Sequence, residues 1–386
     1  MGDTYQERIN RIKTTVNHQE PDKVPILSMI GTYAVHYAGG TIQEMTDHPE
    51  KEIEYYCEPH KKLYSDATYT AGLVFDAKSA QCIGSDSHFV SSDGATVQHK
   101  EITPMEDTEY PELIADPEGY IFNKMLPRKA KKLAGTTAEK YAAIKELVDH
   151  WKVKGMIQAQ LIDKLKNDYQ LPVITGSFAY PPLDYIFDYL RGFKGLSLDM
   201  RRHKDELVAA CNAIQGMADE FLGITEEMTD LPDFPFYATM MHVPTFISPK
   251  QFEKFFVPTY EKLIYRIHER GGKLIIFLEG SWEAKYDWLN SLPKNFAVGI
   301  VEGDNIFEAK KRVGDNITLA GGMPLEMLKL GKKEACIDYA KKLVDELAPG
   351  GGYIFASSRE LLSKGDVNPE NMIETYNFVH EYGIYK

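Results

Sequence analysis

Cysteine is scarce. Cys57, Cys82, Cys211 and Cys336 are the only four in 386 residues, they lie far apart, and no CxxC pair occurs. That excludes a disulfide framework and a thiolate zinc knot, and it suits a reducing compartment. No apolar run approaches the roughly 20 residues that cross a bilayer. The opening residues are polar and lack the apolar segment of a signal peptide, so a cytoplasmic location is expected. Gln6 stands where a myristoylation signal carries Ser or Thr. Basic residues are in deficit: 44 Lys and Arg against 57 Asp and Glu leave a formal charge of −13. A chain this acidic lacks the cationic footprint that nucleic acid or an anionic membrane requires, and neither is expected as a partner.

Several motifs are also missing. There is no GxSxG elbow and no HExxH, and the glycines at 350–352 lack the spacing of a phosphate loop and read as a helix stop. Asp86-Ser-His88 resembles the start of a cobalamin-binding DxHxxG motif, but Ser91 replaces the glycine. The chain is therefore not expected to carry its own corrinoid.

What is present is a folded composition, 43% hydrophobic and 26% charged. Compact apolar runs occur at Val24–Ile30, Gly72–Ala77, Pro172–Phe178, Phe236–Val243, Lys273–Leu278, Phe296–Val301, Ile317–Gly321 and Tyr353–Ala356. They show no clean alternation, as strands covered on both faces do not. Helical patterns at Pro249–Arg270, Trp282–Leu292 and Leu325–Leu347 separate the later runs. Eight strands alternating with helices predict an α/β fold, a (β/α)8 TIM barrel formed by residues 1–386 as one domain, with an open doubly wound sheet as the alternative. Residues 92–170 break the alternation and predict a helical insertion near the barrel mouth.

Barrel enzymes place their chemistry at the C-terminal ends of strands. His242 closes one apolar run, Glu279 the next and Glu302 the one after, with Asp304 close behind. Ser357, Ser358 and Glu360 follow the last strand. One imidazole and two carboxylates from successive strands can converge on a cation, and this donor set suits Zn²⁺ with a fourth position open. The same groups can cap the following helices or pair with Lys and Arg, and the pattern also allows an acid/base pair without metal. Tyr33, Tyr37, Tyr180 and Tyr185 follow strand ends and offer faces for a flat ligand, or else belong to the core or rim.

The segment Arg8–Pro25 resembles the start of the uroporphyrinogen decarboxylase superfamily. So do Phe246-Ile-Ser-Pro-Lys-Gln-Phe with Pro258, Leu319-Ala-Gly-Gly-Met-Pro324, and Gly351-Gly-Tyr-Ile with Asn368-Pro-Glu-Asn371. The resemblance implies a (β/α)8 barrel. The decarboxylase branch has an arginine-bearing segment after the first strand and a histidine near the C-terminal end. Here those stretches are Ser28–Tyr37 and Tyr353–Glu360, which contain neither the substrate-holding arginine nor the histidine. The chain is more similar to the corrinoid-dependent methyltransferase branch, where an HxC pair and a later Cys bind zinc. Phe277 and Glu279 occupy the HxC positions, and the later Cys falls near Ser357 or Ser358.

An oxygen-rich site is a harder Lewis acid than a thiolate one and suits an ether oxygen. The resemblance therefore implies an O-demethylase-type methyltransferase component. It would carry Zn²⁺ on His242, Glu279 and Glu302, with Asp304 or Ser358 as a fourth or orienting group. Tyr33 and Tyr180 would pack on a methoxylated aromatic substrate, with Ser358 also in the substrate site. The acceptor would be cob(I)alamin on a separate corrinoid protein, with a homodimer as a candidate assembly. The alternatives are a methyltransferase for a methylamine or thioether, a tetrapyrrole decarboxylase, and a non-catalytic corrinoid-binding barrel.

Overall fold

The computed structural model describes residues 3–73, 76–221 and 236–385. Ten strands occur in chain order: β1 Leu27–Ser28, β2 Ala67–Thr68, β3 His88–Val90, β4 Val97–His99, β5 Thr175–Phe178, β6 Phe236–Thr239, β7 Lys273–Leu278, β8 Ala297–Val301, β9 Thr318–Met323 and β10 Tyr353–Ser357. β5 to β10 form one parallel sheet in sequential order, and β1 pairs with β2 in parallel. Parallel bridges Ile26–Phe355 and Thr68–Val173 join the pair to both edges of the six-stranded sheet. Together these pairings trace a ring of eight parallel strands, the barrel expected from the alternation. β3 and β4 form a separate antiparallel hairpin.

Side-chain alternation builds two cores. Ile275 and Phe277 of β7 point inward with Phe236, Val298, Ile300, Ala320 and Ile354, while Leu274, Ile276 and Leu278 pack outward under the helices. The first helix, Tyr5–Val16, has a capping box between Thr4 and Glu7. Its Ile9, Ile12 and Val16 join the interior cluster and plug the barrel at the N-terminal ends of the strands.

The expected strand at Gly72–Ala77 is corrected. Gly72 and Leu73 lie in a loop, 74–75 fall outside the described residues, and Ala77 opens a helix, Ala77–Ile83. Asp76 takes the backbone N–H of Ser79 as its N-cap, which overrides the apolar run. The second barrel strand lies earlier, at Ala67–Thr68. The pattern over Leu325–Leu347 divides into Leu325–Leu330 and Lys333–Leu347 around Gly331.

Residues 92–170 supply β4, short helical turns and one helix, Thr137–Tyr169, of 33 residues. At 1.5 Å per residue it is roughly 50 Å long, far longer than the strands. Apart from Ala143, its buried residues lie in the C-terminal half, at Ile157, Leu161 and Leu165. The insertion docks on the segment after β5: Arg191 donates to the Met105 carbonyl, and Tyr110 bonds Asp199 at 2.7 Å. No described helix is long and apolar enough to cross a membrane.

Candidate functional site

After β5 the chain turns at Pro181-Pro182 into a helical turn, Pro182–Tyr185, that widens into a π-helical segment, Ile186–Arg191. Such widened turns recur at functional sites. Asp184 and Asp188 sit four residues apart here and project from one face. Across the mouth, His242 follows β6. Its backbone N–H and that of Val243 both donate to Asp184 Oδ1, at 2.6 and 3.0 Å. The His242 ring meets Asp188 through Nδ1, at 3.1 and 3.2 Å from the two carboxylate oxygens. The Tyr180 hydroxyl donates to Asp188 Oδ2.

These contacts gather one ligand atom each from Asp184, Asp188 and His242 within 4.8 Å of one another. Among the described residues this is the one trio of His, Cys or acidic side chains that meets this spacing. The His242–Glu279–Glu302 set does not meet it. His242 therefore keeps its place in a potential cation site, but the carboxylates that join it come from the preceding strand-helix unit.

The electrostatics follow from the packing. Asp184 is fully buried, which pushes its carboxyl up to about 7. Its second oxygen, Oδ2, is buried with no hydrogen-bond partner in the structure. The hydrogen bond to Asp188 outweighs burial at His242 and raises the imidazole to about 9. Glu279 is raised by burial, offset in part by the His242 charge and reinforced by Glu302 and Asp188. Glu279, at the end of β7, thus shares the electrostatic field of the trio, and Glu302 follows β8. Glu302 itself is exposed.

Asp304 is committed to the loop after β7, where it accepts the Trp282 backbone N–H at 2.9 Å and the Tyr286 hydroxyl at 2.7 Å. The Trp282 indole N–H donates to the Glu279 carbonyl, which fixes that strand end. A Cβ on Gly303 would run into the Gly280 carbonyl, so the two strand-end loops approach this closely only with glycine there. Gly303→Ala is expected to cost about 1–3 kcal/mol of stability, read from denaturant melts.

Tyr33 is 2% exposed and its ring is enclosed by the chain. Tyr180 is partly buried and reaches Asp188 through its hydroxyl, so its clearest role is orienting that carboxylate. Ser358 follows β10, half-buried, with its N–H donating to the Met323 carbonyl. An aromatic ledge beside the trio was not legible in the sequence: Phe187 lies 6.4 Å from the His242 ring and 5.1 Å from Phe246, which Phe193 meets edge-on at 5.0 Å. Phe193 is 53% exposed and offers an open apolar face.

Glu360 follows the last strand and lies against Gly31, where a Cβ would meet its carboxyl. Burial raises it to about 7 from an ordinary value of 4.5. A folded-state value above the unfolded one favours the protonated form. This contribution to stability is complete below about 4.5 and is lost as pH rises through about 7. Glu360→Gln is expected to flatten the fall in Tm between about pH 4.5 and 7; an unchanged slope would show that Glu360 does not carry it.

Residues 136–382 match the family profile described as Uroporphyrinogen decarboxylase (URO-D). A curated uroporphyrinogen decarboxylase from Pseudoalteromonas translucida (strain TAC 125) is 27% identical over 142 residues, 35% of this chain and 38% of that protein's length. Among solved structures, a methyltransferase from Methanosarcina mazei superposes with a TM-score of 0.62, covering 97% of this chain and 98% of the other at 15% identity. At that identity the likeness shows a shared fold.

Proposed function

Because the chain belongs to the uroporphyrinogen decarboxylase family, we propose that it is a methyltransferase of that family. In this reading it moves a methyl group from a methoxylated aromatic substrate to cob(I)alamin presented by a separate corrinoid protein in the cytoplasm. One observation carries the reading: the Asp184–Asp188–His242 trio at the barrel mouth, with a buried carboxylate oxygen that has no partner. A buried, unpaired acceptor oxygen is costly unless something satisfies it. Two carboxylates and an imidazole form a donor set suited to Zn²⁺ with one position left open. Asp184 and His242 would hold the ion, with Asp188 as the third ligand. When bound, zinc supplies Lewis-acid polarisation of the ether oxygen.

The chain's own groups do the remaining work. The amides of His242 and Val243 fix Asp184, and the Tyr180 hydroxyl orients Asp188. Phe187, Phe193 and Phe246 pack on the substrate ring. Glu279, raised by burial, delivers a proton to the departing oxygen. The cobalt electron pair forms the new carbon bond as the methyl–oxygen bond breaks. The bond pair stays on oxygen and takes the Glu279 proton. The products are a phenol and methylcob(III)alamin.

Decarboxylation of a tetrapyrrole is the second reading, favoured by the name of the curated relative. Against it stands the charge at the mouth. Asp184, Asp188, Glu279, Glu302 and Glu360 all gather near the strand ends, and Gly31–Tyr37 adds no arginine. A polycarboxylate substrate would find no guanidinium in that segment to bind its charge.

The test is anaerobic incubation of the protein with methoxyarenes and photoreduced cob(I)alamin on a corrinoid carrier. Methylcob(III)alamin absorbance and phenol should appear in equal amounts. No alkylation from any methoxyarene, together with decarboxylated product from a porphyrinogen, would overturn the proposal.

A further inference from the structure

A second site lies at the opposite end of the barrel. A cavity of about 220 Å³ opens where the chain enters β2 and β5, between the first and last helices. Its walls include Arg8, His60, Lys62, Tyr64, Ser65 and Asn377. Three polar atoms in this wall are buried without a hydrogen-bond partner: Arg8 Nε, His60 Nδ1 and Ser65 Oγ. Three such orphans in one small cavity is a concentration that native interiors avoid unless a ligand or ordered water completes it.

The charge here runs against that of the whole chain, which is −13. The carboxylates of this end are already committed. Asp22 and Asp66 are held by Arg11, and Glu58 by Lys61. Arg8 has no carboxylate partner among the described residues. Its guanidinium donates through Nη1 to the Tyr169 carbonyl at 3.1 Å and lies 5.0 Å from the Tyr64 ring centroid, which positions it without neutralising it. Tyr64 in turn stacks on His380 with centroids 3.5 Å apart, which stiffens that wall. Burial and the Arg8 charge push His60 down to about 4, so its imidazole is neutral near pH 7 and can donate through one ring nitrogen.

Arg8, His60 and Ser65 line one cavity, each with a buried side-chain atom that lacks a partner, and the Lys62 ammonium stands at the rim; the set is rich in donors and holds no carboxylate. They match a tetrahedral oxyanion, which accepts from several directions at once. The cavity, about 220 Å³, has room for such a group with several waters or part of a small molecule attached to it, since liquid water occupies about 30 Å³ per molecule. We propose that this cavity binds a phosphate group, either inorganic phosphate or the terminal phosphate of a small metabolite, at a site separate from the catalytic mouth.

The test is isothermal titration of the full-length protein with inorganic phosphate and, separately, with glycerol phosphate. Saturable binding at one site per chain is expected, weakened by about tenfold or more in Arg8→Gln and in Ser65→Ala through loss of a charge-assisted or buried hydrogen bond. Arg8→Gln also removes the Tyr169 contact, so Lys62→Ala, at the exposed rim, and Ser65→Ala serve where that variant does not fold. The His60 ring resonances should shift on saturation. Tighter binding of glycerol phosphate would identify a metabolite's phosphate, and equal binding the free ion; both support the site. No saturable binding, or binding unchanged in Ser65→Ala and Lys62→Ala with His60 unmoved, would overturn it. None of these substitutions touches the catalytic mouth, so failure here leaves the methyl-transfer reading intact.

Discussion

In the methyltransferase reading, Glu279→Gln is expected to lower the rate of methyl transfer by about 10²–10⁴-fold, the usual contribution of a positioned general acid, with the metal content of the parent retained. The prediction separates two roles for this residue. The sequence pattern paired Glu279 with His242 and Glu302 as metal ligands, whereas the structure gathers Asp184 and Asp188 at His242 instead. Glu279 remains beside them, raised by burial and sensitive to the charges of His242, Glu302 and Asp188. A half-buried carboxyl in that field is suited to holding a proton for a leaving oxygen. Turnover measured with a good leaving group, such as a nitro-substituted methoxyarene, should fall much less than with an unactivated one, because a stable phenolate needs no proton. An equal loss with both substrates would assign Glu279 to something other than proton delivery.

The second large effect is on stability. Arg11 has a fully buried side chain and bridges Asp22 at 2.6 and 2.8 Å, Asp3 at 2.9 Å, the Tyr64 hydroxyl at 3.1 Å, and Asp66, itself 1% exposed. Asp66 also accepts the Ile26 N–H at 2.8 Å, so the network ties the first helix to β1 and β2, where the barrel ring has its shortest strands. Arg11→Met should cost about 3–5 kcal/mol, because it leaves the Asp66 carboxylate buried without its counter-charge. Adding Asp66→Asn should recover a large part of that loss, since the double variant buries no lone charge. Urea melts of the two singles and the double check this. Simple additivity would mean that the two side chains act independently.

The barrel was legible because its strands are covered on both faces. Runs such as Lys273–Leu278 and Phe296–Val301 stand out as short apolar blocks, and β7 spans the whole of the first. β2 was not legible: only Ala67 and Thr68 pair, and Ser65 and Asp66 before them are polar residues buried by tertiary contacts. The apolar stretch over 72–77 drew the assignment several residues too late. At the mouth, His242 was visible as a polar residue ending an apolar run. Asp184 and Asp188 were hidden because they lie inside the following helical turn, where acidic residues ordinarily face solvent. The available signal was their four-residue spacing just beyond a strand end. Only the tertiary fold reveals that Asp184 is buried and that two backbone amides from the next unit hold it. Tyr33 shows the converse: its position after a strand was readable, but its enclosure by the core was not.

The metal content of purified, untagged protein tests the central claim most directly, with the parent compared against Asp184→Asn/Asp188→Asn and Glu279→Gln. The account predicts about one zinc per chain in the parent and in Glu279→Gln, and nearly none in the double aspartate variant. Zinc retained in the double variant but lost in Glu279→Gln would contradict it and return the ion to the ends of β7 and β8.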